Sequence, residues 1–331
     1  MKHQINKRKG AAMSWQSAIT CWFLRRQFRP ETLKPEISVE RTREHSDKRL
    51  WSPKVPRGWR LVERYRPDDA PLRGEWLEPP AAMPAASPSR TVFYIHGGGY
   101  YFCSPKTHRS LVFALAARCG VRTFSLDYRL APEQPFPAAL DDALAAYRQL
   151  LAVGTPADSI VLAGDSAGGG LALAALVALR DAGDPLPAAA LLFSPWTDLA
   201  ATGATIVTND GLDPMFHGVA IERAAKFYLA DTPAIHPYAS PLYADFAGLP
   251  PLFIQAGSTE VLLDDSRRVA DKARAAGVSV DFEIWPDMPH VWQLYAPFVP
   301  EAGKALDRAA EFVRRAARAE AAHASSDTSM V

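Results

Sequence analysis

The sequence predicts an α/β protein, a mostly parallel sheet covered on both faces by helices, with a helical lid. Three observations lead there. From Thr91 onward, short β-branched and apolar runs alternate with Ala/Leu-rich stretches at βαβ spacing, which pairs strands in parallel and covers both sheet faces. The run Ser159–Ala163 is apolar almost throughout, as a strand buried on both faces is, and it passes directly into a glycine-bearing turn and a helix. The length, 331 residues, exceeds one average domain yet suits one core with an inserted or appended lid.

Taken in order, residues 1–50 read as N-terminal lid helices. Trp15, Ile19, Trp22 and Phe23 recur at helical spacing and form the apolar face of an amphipathic helix. Two uses compete for that face. One is packing as a lid over the rest of the chain, and the other is adsorption to a lipid interface, with Arg25, Arg26 and Arg29 at the edge. Met1–Gly10 carries four Lys/Arg, like the start of a signal peptide. Ser14, Gln16, Ser17 and Thr20 then interrupt the apolar stretch, and Arg25-Arg26 closes it without a small-residue cleavage site. Met13 is a second candidate start. No apolar run reaches the length of a bilayer span.

The catalytic body is assigned to 51–197 and 238–320. Trp59 to Leu77 contains two antiparallel strands, and Pro79 to Ser89 is a Pro/Ala/Ser-rich loop. Strands follow at Thr91–Ile95, Val121–Leu126, Ser159–Ala163, Ala190–Ser194, Pro251–Gly257 and Val278–Ile284. Pro132, Pro135 and Pro137 impose an extended path before a helix from Ala138 to Leu151, with an Arg129–Glu133 ion pair expected to hold it. Residues 198–237 depart from the alternation and form a lid insertion. Within it Asp213-Pro214 reads as a helix N-terminus, and Phe216, Phe227 and Tyr228 supply apolar bulk. The last helix is expected over Gly303–Ala319, followed by a disordered tail at 321–331. No internal repeat is visible.

The chemistry centres on Gly164-Asp165-Ser166-Ala167-Gly168, at the seam where a buried strand becomes a helix. A residue on so sharp a turn takes strained dihedrals, tolerable where its neighbours lack a bulky Cβ, and the strain lifts the hydroxyl above the sheet. Ser166 also stands at a helix N-terminus, where unpaired N–H groups favour developing negative charge. A capping serine in a glycine-rich turn is the plainer alternative. Against it stands His96-Gly97-Gly98-Gly99, which follows the strand Thr91–Ile95 and exposes bare backbone. Acyl transfer passes through a tetrahedral oxyanion, best stabilised by preorganised N–H donors. Gly97, Gly98 and Gly99 can supply some of them, and Ala167 another. His96 reads as a clamp on this loop. A phosphate cradle is disfavoured, because no Lys-Ser/Thr pair follows the glycines.

A base and an acid lie C-terminal to the serine. His290 sits on a loop past the strand Val278–Ile284, where a catalytic histidine belongs. His3, His45 and His323 lie in polar, charged or terminal segments, and His108, His217 and His236 fall in or beside lid and loop regions. Glu260 is the first acid past the strand Pro251–Gly257 and is the expected partner that orients the imidazole. Asp264, one helical turn later, is the rival. The order Ser, acid, His is that of the α/β-hydrolases.

Together these residues resemble the hormone-sensitive-lipase-like, or bacterial type IV, esterases of the α/β-hydrolase superfamily. The resemblance rests on His96-Gly97-Gly98-Gly99, Asp127-Tyr128-Arg129-Leu130-Ala131-Pro132-Glu133, Pro135-Phe136-Pro137-Ala138-Ala139, Gly164-Asp165-Ser166-Ala167-Gly168-Gly169, and the Glu260 and His290 loops. It covers about Trp15 to Arg314. It implies the α/β-hydrolase fold with an eight-stranded sheet, a lid built from the N-terminus and an insertion, and hydrolysis of short-chain acyl esters through an acyl-enzyme. It strengthens Glu260 over Asp264, although Asp in an Asp-Pro-Leu setting is the commoner acid. Two smaller departures are Cys103, where glycine is common, and Gly170, where asparagine often stands. Tyr100, Tyr101, Phe216 and Trp292 are expected pocket linings, and relatives often pair through a sheet edge as homodimers.

Composition narrows the classes further. A net charge of +1 with interspersed charges gives no electrostatic case for nucleic acid. Three cysteines, Cys21, Cys103 and Cys119, show no metal or redox spacing, and their odd number fits a reducing cytoplasm. No cofactor and no metal are expected, and the expected partner is a small ester. Amides, lactones, carbamates and acetyl groups remain alternative substrates of the same machinery, and interfacial lipase action a third possibility. The same fold also serves as a ligand receptor that has lost the catalytic histidine, but His290 is present.

Overall fold

Each inner strand is apolar on both faces, and the computed structural model stacks these runs into one eight-stranded sheet; it describes residues 13–48, 53–81 and 90–327, with the backbone alone beyond 316. The strands are β1 (Arg60–Arg64), β2 (Gly74–Glu78), β3 (Thr91–Ile95), β4 (Arg122–Leu126), β5 (Ile160–Asp165), β6 (Ala189–Phe193), β7 (Leu252–Gly257) and β8 (Val280–Trp285). Their order is β1-β2-β4-β3-β5-β6-β7-β8. β2 pairs antiparallel with β1 and β4, and every later pairing is parallel.

The register aligns Ile95 with Gly164, Asp165 with Phe193, and Gly257 with Trp285. The carboxyl ends of β3, β5, β6, β7 and β8 therefore lie along one edge, and the loops that leave them meet there. This is where open parallel sheets bind ligands.

Ten helices are described. α1 (Trp15–Gln27), α2 (Arg29–Leu33) and α3 (Val39–Lys48) precede the sheet. α4 (Arg109–Cys119), α5 (Ala138–Ala152) and α6 (Ala167–Asp181) follow β3, β4 and β5. α7 (Thr205–Thr208) and α8 (Gly218–Leu229) occupy the insertion, and α9 (Leu263–Ala275) and α10 (Pro300–Asp327) complete the chain. Alternate strand residues face opposite layers. Phe93, Ile95, Leu162 and Leu192 join α5, α6 and α9 in one core cluster, whereas Val92, Tyr94, Val161 and Leu191 join α4 and α10 in another. The central α6 is buried continuously from Ala167 to Leu179, because α5, the turn Pro241–Tyr243 and the sheet pack around it.

Four expectations are corrected. The aromatic stripe of α1 does not pack inward: Ser17, Thr20 and Leu24 are its buried residues. Small side chains let the helix approach closely, and Ser14 and Ser17 hydrogen-bond Glu301 of α10 at 2.7 and 2.8 Å. Arg129 and Glu133 do not pair with each other. Arg129 binds Asp142 of α5, and Glu133 binds Arg43 of α3, because each cation lies closer to a carboxylate on a neighbouring element. Asp213 does not open a helix; it closes a turn by accepting the N–H groups of Met215 and Phe216, and α8 begins at Gly218. Finally, α10 continues past Ala319 through an Ala/Arg/Glu-rich stretch without a breaker, so 321–327 is helical. Residues 1–12, most of the loop Pro79–Ser89 and positions 328–331 lie outside the described residues.

Among the described residues, no helix is long and apolar enough to cross a membrane. The N-terminal helices are tied to the body by polar clamps. Arg43 donates to the carbonyls of Tyr101 and Ala131 at 2.8 Å and forks onto Glu133. Arg43→Ala is expected to cost on the order of 1–3 kcal/mol locally. Hydrogen exchange should show faster opening of residues 39–48, with exchange in β5 and α6 unchanged.

Candidate active site

The turn from β5 into α6 holds Ser166 at φ 52° and ψ −123°, a conformation an L-residue adopts only when its surroundings enforce it. The enforcement is steric. A Cβ on Gly164 would lie 2.3 Å from the Gly168 carbonyl oxygen, and one on Gly168 would lie 2.1 Å from the carbonyl oxygen of Ile95. Neither glycine has a positive φ; close approach is what requires them. The Ser166 carbonyl accepts the N–H groups of Gly170 and Trp196, and its own N–H donates to Phe193 at 2.9 Å, so three elements fix one residue.

The Ser166 hydroxyl meets Nε2 of His290 at 2.8 Å, and Nδ1 of that ring meets Oε2 of Glu260 at 2.7 Å. Glu260 is fully buried. Its other oxygen, Oε1, accepts the Ser194 hydroxyl at 2.7 Å and the backbone N–H of Gly257. Ser194, at φ 46° just past β6, also accepts the N–H of Val291, so one hydroxyl joins the acid loop to the histidine loop. Asp264 points elsewhere, accepting the N–H of Thr205 and pairing with Arg267. The carboxylate beside the imidazole is therefore that of Glu260.

Burial disfavours a charged His290. The adjacent Glu260 carboxylate outweighs this through charge and hydrogen bonding, with Asp213 and Asp165 adding to it, and the imidazole pKa stands above its ordinary 6.5. Asp213 supports the same loops from below: its Oδ2 accepts the N–H of Val261, next to Glu260. Burial raises the pKa of Asp213, while its three backbone donors partly offset the rise.

The glycine loop is anchored by Asp165, the neighbour of Ser166. Its Oδ1 accepts the Tyr94 hydroxyl at 2.6 Å and the Gly97 N–H at 3.0 Å, and its Oδ2 meets His108 Nε2 at 3.2 Å. Gly97 is thus corrected as an oxyanion donor, because its N–H is already committed to this carboxylate. The amides of Gly98 and Gly99, at φ 111° and 57°, and of Ala167, the first residue of α6, remain as candidates. His96 stacks on Tyr128 at 4.3 Å, and its Nδ1 contacts the Gly97 carbonyl at 2.7 Å. Burial, then the neighbouring His108, push its pKa down to about 3, so it is neutral. It clamps the loop and does not approach Ser166.

Of the expected pocket linings, Phe216 stands beside the site, with its ring edge-to-face on His290 at 5.2 Å and Phe28, between α1 and α2, packed behind it. Trp292 is corrected: it is fully buried against Trp285 in a separate cluster with Met288 and Val299. Tyr100 is also packing, stacked on Tyr228 at 3.8 Å, and Tyr101 leans on Phe227. Three residues that serve the site escaped the sequence reading. Ser194 carries no motif, Asn209 holds the Ser258 and Glu260 carbonyls from the insertion, and His108 reaches Asp165 from a distant loop. Only Asp213 had left a signal, as an acid before proline inside the insertion.

A hydroxyl, an imidazole and a carboxylate in line, beside bare amides on the carboxyl edge of a parallel sheet, is the site arrangement of the α/β-hydrolase class. Comparison with known proteins agrees. A family model described as alpha/beta hydrolase fold matches residues 92–294. The chain is 50% identical over 242 residues to an acetyl-hydrolase of Streptomyces hygroscopicus, covering 73% of this chain and 79% of that protein. It is 38% identical over 245 residues to an esterase of Acinetobacter venetianus, with coverage of 73% and 79%. A solved esterase from the bacterial hormone-sensitive lipase family superposes with a TM-score of 0.82 at 41% identity, covering 92% of this chain and 99% of that one. The chain belongs to the α/β-hydrolase fold family, in its hormone-sensitive-lipase-like branch.

Asp165→Ala strips buried partners from Tyr94, Gly97 and His108 at once. It is expected to lower unfolding stability by roughly 3–5 kcal/mol, the range for breaking a buried ionic network. Urea denaturation checks this, and Asp165→Asn, which keeps an acceptor, should lose less.

Proposed function

We propose that the protein is a serine carboxylesterase acting on short acyl esters. Ser166 attacks the ester carbonyl as His290 Nε2 takes its proton, and Glu260 holds the Nδ1–H tautomer and stabilises the imidazolium. The amides of Gly98, Gly99 and Ala167 receive the oxyanion. The imidazolium then protonates the leaving alcohol, and water repeats the sequence on the acyl-enzyme with His290 again as base. The observation that carries this reading is the unbroken relay of 2.8 and 2.7 Å from hydroxyl to buried carboxylate.

A small acyl group is favoured by two observations. The aromatic pair Phe28–Phe216 walls the approach to His290. A relative sharing half its aligned residues is named an acetyl-hydrolase, which favours acetyl within the same ester chemistry.

With p-nitrophenyl acetate as substrate, Ser166→Ala is expected to lower kcat roughly 10⁴-fold or more with an unchanged circular dichroism spectrum. Glu260→Gln should cost on the order of 10⁴-fold. Asp264→Asn should stay within a few-fold of the parent, and the opposite ranking would move the acid role to Asp264.

The pH profile follows from the charge on His290. Only the neutral imidazole accepts the serine proton, so kcat/KM rises with pH through the histidine pKa, and the acid limb should lie above 6.5. Removing the Glu260 charge lowers that pKa, so the limb of Glu260→Gln should move toward acid even as its plateau falls. A limb that moved toward alkali would contradict the assigned electrostatics.

A further inference from the structure

The stripe on α1 leaves the protein's surface in an unusual state. Trp15, Ile19, Trp22 and Phe23 are 64%, 49%, 58% and 46% exposed. At 3.6 residues per turn, these four and Arg26 fall within an arc of about 100°. Ser17, Thr20 and Leu24 occupy the opposite side and are the buried residues of the helix. The patch extends beyond the helix. Exposed Phe298 lies edge-to-face on Trp15 at 5.7 Å, and Arg25 holds the backbone carbonyl of exposed Leu212 at 2.6 Å.

The charge carried by α1 itself has one sign. α1 contains Arg25 and Arg26 and no acid, and both cations face solvent. The Arg26 guanidinium sits over the Trp22 ring at 5.3 Å, which places a cation at the level of an exposed indole. Nearby carboxylates are engaged elsewhere: Glu301 by Ser14 and Ser17, and Asp210 by Arg29.

We propose that this face of α1 docks on an anionic lipid surface. Indoles and phenyl rings enter the headgroup boundary, and arginines at their edge meet lipid phosphates, the division of labour of an interfacial amphipathic helix. A second copy of the chain fits less well, since two such stripes packed together would cover Arg26 on each copy with no acid on either α1 to pair it. Docking sets the catalytic edge close to the membrane, because the inner side of α1 lies against the histidine loop, with Ser17 Oγ 3.9 Å from Met288 Sδ. The inference stands on the helix face and its charge, whichever acyl group the site takes.

The test is co-sedimentation of the full-length chain with vesicles of phosphatidylcholine alone and of phosphatidylcholine with phosphatidylglycerol. Binding is expected to the anionic vesicles, to weaken with added salt, and to blue-shift tryptophan emission. Trp22→Ser with Phe23→Ser should weaken it at least about tenfold through lost apolar insertion. Arg26→Gln should weaken it about fivefold, the equivalent of ~1 kcal/mol per surface cation. Both variants should hydrolyse soluble p-nitrophenyl acetate at the parental rate, which shows that the fold persists. Equal binding to neutral vesicles, no binding to either, or binding untouched by Trp22→Ser with Phe23→Ser overturns the proposal. So does a parental dimer that the same double variant converts to monomer, which would assign the face to a second copy.

Discussion

The whole site depends on how closely the turn after β5 presses against the end of β3. Gly168 lies directly beneath the carbonyl oxygens of Ile95 and His96, with no room for a methyl group between them. That contact sets the Ser166 hydroxyl and the glycine loop at a fixed separation, and the Asp165 carboxylate then bonds the two together through the Gly97 N–H. The proposed nucleophile on one strand and the bare amides beside the next become a single rigid unit. Preorganisation of this kind makes N–H donors effective, since they need not turn toward charge as it develops.

Around this unit the structure buries several carboxylates, and the way each is satisfied separates their roles. Asp213 and Asp265 are held by backbone amides and act as joints between loops. Burial pushes Asp265 up to about 7, with Asp198 adding to the rise against the amide bonds that stabilise its charge. Glu260 receives a hydroxyl and an amide on one oxygen and leaves the other to the imidazole. A glutamate here reaches the ring at ordinary hydrogen-bond distance, so the extra methylene relative to aspartate is absorbed by the loop.

Several misreadings share one cause. The α1 stripe has the periodicity of a core-facing helix, but periodicity reports that one face is apolar and says nothing about which way it turns. Here two serines, a threonine and the carboxylate of Glu301 form the buried contact, and the aromatic side faces outward. The Arg129–Glu133 pair failed for a similar reason: proximity in sequence gave way to Asp142 and Arg43, brought close by α5 and α3. Trp292 is likewise no pocket lining: the loop turns at Val291, with φ 47°, and the indole is fully buried against Trp285.

What the sequence determined by itself was local: the alternation of strands and helices, the glycines around Ser166 and after His96, and the order of serine, acid and histidine. These follow from backbone sterics and side-chain period, which act over a few residues and leave their mark on composition. Tertiary structure alone decided that Gly97 spends its N–H on Asp165, that Ser194 and Asn209 brace the acid loop, and that α1 shows its tryptophans to solvent. Each of these is a contact between segments far apart in the chain, and which partners meet depends on the register and packing of the finished sheet.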